Sequence, residues 1–140
     1  MIQTDTEKFS FMLPPGMACG IDENERTITL KTDKATVIVR MVSGYFGGLP
    51  EESNLRQSVL NQHPGAAILQ SMPCAGGGKT GWFFDLKRAL NLNTILTIRH
   101  AIVPCRSGAF EFICTASSAD FETQKGLFSS IIGSFQAKLR

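Results

Sequence analysis

Four strand-like runs follow one another from Ala66 to Ala116, with no helical run between them. They read "AAILQSMP", "TGWFFDLKR", "NTILTIRHAIVPCR" and "GAFEFICTA". Strands in direct succession pair as antiparallel hairpins, because a parallel pair needs a crossover of a dozen or more residues. A doubly wound fold, in which strands and helices alternate, is therefore disfavoured.

The connection between the first two runs looks at first like a phosphate site. "PCAGGGKTGWFF" ends a glycine cluster with Lys79 and Thr80, as a P-loop does. The P-loop needs a glycine, four free positions and then Gly-Lys, and the place of that first glycine is taken here by Pro73. A P-loop also leads into a helix whose amide end faces the phosphate. Here Trp82, Phe84 and Leu86 share one parity while Asp85 and Lys87 take the other, the pattern of a half-buried strand with its polar residues outward. The expectation is a hairpin turning at Gly76–Gly78, with no nucleotide site.

Upstream, "KFSFMLPPGM" places Phe9, Phe11 and Leu13 on one parity before a proline stop. "RTITLKTDKATVIVRMV" reads as two strands around Thr32–Lys34, with the β-branched run Val37–Val39 the more deeply buried. A short helix should then start at Pro50 and close at Pro64-Gly65, with Leu55, Val59 and Leu60 as one narrow apolar stripe. The last segment carries Phe121, Phe128, Ile131, Ile132 and Phe135 at helical spacing. Ser117 or Ser118 would cap it, and Gly126 and Gly133 would let it approach the sheet closely. The order is three strands, a short helix, four strands and a long C-terminal helix. That order implies an α+β fold: an α/β/α sandwich with a central antiparallel sheet of about six to seven strands, in one domain spanning residues 1–140.

Composition narrows function mainly by exclusion. Fourteen basic and twelve acidic residues leave a net charge of +2. The cations are scattered, so no basic stripe for nucleic acid emerges. No apolar run approaches the roughly 20 residues of a membrane span, so no membrane insertion is expected. "MIQTDTEKFSFMLPPG" has no basic region followed by an apolar stretch. A cytoplasmic location is the expectation, although a removed signal would leave the same appearance.

Cys19, Cys74, Cys105 and Cys114 show no CxxC spacing and read as small buried hydrophobes; their redox state is left open. With a two-residue loop at Ser107-Gly108, Cys105 would lie opposite Phe110 and Cys114 opposite Ala101, too far apart for a disulfide. With two histidines and those cysteines, the chain offers no metal-ligand spacing, so neither metal nor cofactor is expected.

His100 shares parity with Leu96, Ile98 and Ile102, which points it into the core, satisfied there by a backbone group. The functional alternative is a general base or a pocket liner. His63 is explained by the negative end of the first helix. The glycine-flanked aromatics of "GYFGG", Tyr45 and Phe46, are the candidate partner-binding residues, because exposed aromatics anchor interfaces. No residue is assigned a catalytic role.

Two stretches carry a family likeness. "FSFMLPPGM" resembles the first strand and proline turn of the PsbP-like superfamily. "FEFICTASSADFETQKGLFSSIIGSF" resembles its last strand, small-residue turn, Asp-Phe pair and final helix ending in Ser-Phe. The resemblance implies the same α/β/α sandwich. It also implies a mostly non-catalytic role, since members dock on photosystems, bind a small GTPase or act as chaperone-like adaptors. A protein-binding domain is thus the leading expectation, with the partner unidentified and a homodimer left open. The alternative is a small-ligand or lipid-binding module using apolar space between sheet and helix.

Overall fold

The structure, a computed structural model, describes residues 2–5, 9–13, 16–22, 27–42, 51–76, 79–105, 108–134 and 136–137. Its elements are β1 (Ile2–Asp5), β2 (Phe9–Leu13), β3 (Ala18–Asp22), β4 (Thr27–Lys31), β5 (Ala35–Val42) and α1 (Glu52–Gln62). Then follow β6 (Ala67–Gly76), β7 (Lys79–Ala89), β8 (Ile95–Cys105), β9 (Gly108–Ser117), α2 (Phe121–Ser134) and β10 (Gln136–Ala137).

Seven strands form one antiparallel sheet in the order β3-β4-β5-β9-β8-β7-β6. Two meanders meet where β9 pairs with β5, Val37 facing Cys114 and Val39 facing Phe112. The α+β class, the short helix after the sheet's third strand and the C-terminal helix are as expected. Membership differs at one point. Phe9–Leu13 is a strand, but it belongs to a separate three-stranded sheet, β1-β2-β10, and lies against α2. The edge place falls instead to Ala18–Asp22, a run of small residues without a clear alternation.

Topology sets the two helices on opposite faces. α1 carries the chain from β5, inside the sheet, out to β6 at its edge, and so crosses only the β6–β9 half. Leu55 and Val59 from α1 bury against Phe84, Leu86, Ile98 and Ile102. α2 leaves β9 and covers the other face with Phe121, Phe128, Ile131 and Ile132, against Val37, Val39, Ala101, Phe110 and Phe112. β9 is consequently buried on both faces over its first five residues, whereas β4 and β5 alternate. Ile38 is therefore only half-buried, between the fully buried Val37 and Val39.

Local signals explain the element ends. α1 begins at Glu52 with Glu51 in extended conformation as its N-cap, and Pro50 lies outside the described residues. His63 is its C-cap, and Gly65, at φ 81°, takes the left-handed conformation of the turn that follows. α2 is capped by Asp120, whose carbonyl accepts the Gln124 amide; Ser117 caps the preceding turn and Ser118 bonds Thr97. Neither serine is the helix cap itself. In the β6–β7 hairpin Gly76 pairs with Lys79, and Lys79 continues as strand, so a strand and not a helix follows the glycine run. Gly77 and Gly78 lie outside the described residues. Gly81 has a stricter requirement: a Cβ there would collide with the Ile102 carbonyl of β8.

Gly126 and Gly133 do not serve a close approach. A Cβ at either meets nothing within 4 Å, because both are on the solvent side of α2. Gly126→Ala should therefore raise stability by roughly 0.5–1 kcal/mol through helix propensity and a less disordered unfolded chain. A thermal midpoint that falls instead would place Gly126 in a contact.

Candidate functional site

The two faces of β8 carry the chain's chemistry. Its even-numbered residues look toward α1, and among them is His100, fully buried as its parity implied. Its partner is not a backbone group. His100 Nδ1 lies 2.9 Å from Nε2 of His63, the residue that ends α1. The rings meet edge-on at 83°, with centroids 5.2 Å apart. On its other side, His100 Nε2 lies 3.4 Å from Glu111 Oε1, near enough for charge interaction but with no hydrogen bond formed.

Glu111 comes from β9, diagonal to His100, and pairs with Arg40 of β5 at 2.7 Å. Gln62 completes the group: its carbonyl accepts from Arg40, and its amide donates to Glu111 at 3.4 Å. Burial pushes the Glu111 carboxyl up, yet the His100 ring and the Arg40 guanidinium outweigh it and hold the group at about 2.

His63 answers differently from the helix-end explanation. Burial first, then the nearby His100, Arg88 and Arg40, lower it from 6.5 to about 4. It is neutral at pH 7, so attraction of an imidazolium to the helix terminus does not account for it. Its role is to accept or donate one hydrogen bond at the base of α1. The N-terminal end of the helix is tied separately, with Arg56 bonded to Glu52 at 2.8 Å and to Ser71 of β6 at 3.1 Å.

The α2 face holds a second polar group that the strand pattern misplaced. Asp85 does not face solvent; it is 2% exposed and takes both Nε and NH2 of Arg99, at 2.9 and 3.0 Å. Gln70 donates to the same carboxylate at 2.7 Å, and Arg99 reaches Ser129 of α2 at 3.2 Å. The guanidinium also lies over the Phe83 ring, 4.2 Å from its centroid. A lone charge inside an otherwise uncharged strand was the available signal for Arg99 and Glu111, whereas Asp85 shares β7 with Lys87 and Arg88 and gave no such signal.

The central residues of both groups are buried. A general base must come within hydrogen-bond reach of the proton that it removes, and His100 and Glu111 are 0% and 1% exposed. Among the described residues the thiols of Cys19, Cys74 and Cys114 are not activated. Burial raises Cys19, raises Cys74 to about 11 and raises Cys114 further. Cys114 is a buried hydrophobe as expected, whereas Cys19 is exposed. The β8–β9 register is shifted by two residues from the expected one: Cys105 faces Gly108, and Cys114 faces Arg99. Cys105 and Cys114 therefore lie even farther apart than the expected pairing put them. Among the described residues no three His, Cys, Asp or Glu side chains converge to hold a metal, and no helix is long and apolar enough to cross a membrane.

Large aliphatic side chains do reach solvent. Leu90, Leu92 and Ile95 crowd the β7–β8 turn, with Leu92 fully exposed, and Leu69 and Met72 are exposed on edge strand β6. Leu69 is the extra residue of a bulge between Ile68 and Gln70, and Pro73 follows; both features discourage open-ended strand pairing at that edge. Tyr45 and Phe46 fall in the segment linking β5 to α1, outside the described residues.

No family model and no curated protein matches the chain. Solved structures do. Cyanobacterial PsbP (CyanoP) from Synechocystis superposes with TM-score 0.65 at 14% identity, covering 93% of this chain and 86% of that one. The Ran-binding protein Mog1p of Saccharomyces cerevisiae gives TM-score 0.63 at 10% identity, covering 91% and 89%. LpqN of Mycobacterium tuberculosis, described as involved in cell envelope biogenesis, gives 0.63 at 12%, covering 94% and 83%. At such identities the likeness concerns the fold. The chain has the PsbP/Mog1-like fold.

Proposed function

We propose that the chain is a non-enzymatic protein-binding domain of the adaptor or chaperone-like kind. The observation that carries this reading is the aliphatic cluster at the β7–β8 turn, where Leu90, Leu92 and Ile95 stand in solvent. A single exposed leucine is ordinary, but three exposed aliphatic side chains at one hairpin tip offer apolar area of the kind that partners cover. The buried polar groups support the same reading, since their hydrogen bonds serve to hold helices on the sheet. A Ran-binding protein among the structures of the same fold is consistent with it. Tyr45 and Phe46 are the second candidate surface. They follow Val42, at the opposite end of the sheet from the β7–β8 turn.

Affinity capture followed by mass spectrometry would identify the partner. Leu90→Ser with Leu92→Ser should then weaken its binding at least about tenfold while leaving the unfolding midpoint near wild type. Unchanged affinity in that variant would remove the tip from the interface.

A further inference from the structure

α1 is a lightly attached element. Two fully buried apolar residues, Leu55 and Val59, hold its middle, and its C-terminal end is fastened by the consecutive residues Gln62 and His63. Both reach into one buried polar group. Around the paired rings stand Arg40 from β5, Arg88 from β7, His100 from β8 and the single carboxylate Glu111 from β9. From β6 the uncharged Ser71 bonds the helix through Arg56, and the helix's own Glu52 and Arg56 pair with each other at its other end.

The His63–His100 contact at 2.9 Å needs one ring nitrogen with a proton and one without. Protonating both rings places two donors nose to nose and two cations in contact. Two guanidinium groups and one carboxylate stand nearby, and at His63 the cations outweigh the carboxylate, so a proton added there is repelled. We propose that α1 is an acid-releasable cover: protonation of the His63–His100 pair detaches the C-terminal end of the helix and uncovers the apolar strip Phe84, Leu86, Ile98 and Ile102, while the sheet and α2 remain folded.

Selectivity comes from composition. The chain has two histidines, and both lie in this one contact. The α2 face is held by Arg99, Asp85, Gln70 and Ser129, with no imidazole among them. The direction follows from linkage. His63 is held below its ordinary value when α1 is docked, so docking is at full strength above about 6.5 and is lost as pH falls toward about 4. Glu111, held at about 2, stays ionised through that window, so the group that titrates there is His63.

The single tryptophan, Trp82, packs at the margin of the strip beneath α1 and reports on it. The test is residue-resolved amide exchange together with Trp82 emission, from about pH 7.5 to about pH 4.5, with exchange rates corrected for their intrinsic pH dependence. Protection of the α1 amides should fall at least about tenfold within that range, and emission should shift, while the β5, β9 and α2 amides keep their protection. His63→Gln, which keeps a polar group but has no titrating proton, should abolish the transition. Arg88→Gln, a change at a half-buried strand position, should move the transition to lower pH by removing one repelling charge. Loss of α1 and α2 protection at the same pH would make this ordinary acid unfolding and overturn the proposal. So would constant α1 protection down to the lowest pH, or unaltered titration in both variants.

Discussion

Phe128→Ala should destabilise the protein by about 3–5 kcal/mol. Phe128 is fully buried on the inner face of α2, in the same cluster as Phe110, Phe112, Ile131 and Val39, with Phe121 6.0 Å away between ring centroids. Truncation removes the ring's transfer free energy and leaves a cavity between two rigid layers that cannot collapse fully. Urea unfolding followed by circular dichroism should show a clearly lower midpoint with a similar slope. A midpoint equal to wild type within error would mean that α2 does not seat this face on the sheet.

The second large effect concerns the buried ion pair beneath α2. Arg99→Leu leaves Asp85 charged and buried, with Gln70 as its remaining hydrogen-bond donor, and should cost about 3–5 kcal/mol. The double variant Asp85→Leu with Arg99→Leu removes both charges together. It should recover most of that loss, because two apolar side chains on adjacent strands of a buried face carry no desolvation penalty. A double-mutant cycle with a coupling energy near zero would show that the two groups do not act as a pair.

These two variants mark the boundary of what the sequence discloses. The Phe128 face follows from helical spacing alone, and the hairpin order from strands in succession, since both periods are local properties of the chain. Parity likewise placed His100 in the core. Its partners were not legible, because His63 and Glu111 come from other elements and meet it only through the sheet register and the path of α1. Asp85 shows the same limit. Alternation with Phe84 and Leu86 gives its side of the strand, but a helix seated on that side turned the expected solvent face into a second core. The swap of Phe9–Leu13 for Ala18–Asp22 in the main sheet has a similar cause: strand tendency does not say which sheet a strand joins.

The central claim is recognition without catalysis, and one comparison tests it most directly. Once a partner is in hand, capture should be measured at about pH 7.5, above the His63 titration window, for wild type, Tyr45→Ala with Phe46→Ala, Leu90→Ser with Leu92→Ser, and His100→Gln. At least one of the loop variant and the Leu90→Ser, Leu92→Ser tip variant should lose at least about tenfold in affinity while keeping its fold, and His100→Gln should bind as wild type does. If His100→Gln alone abolishes activity, with both the loop and the β7–β8 tip variants behaving as wild type, the binding-domain account is contradicted.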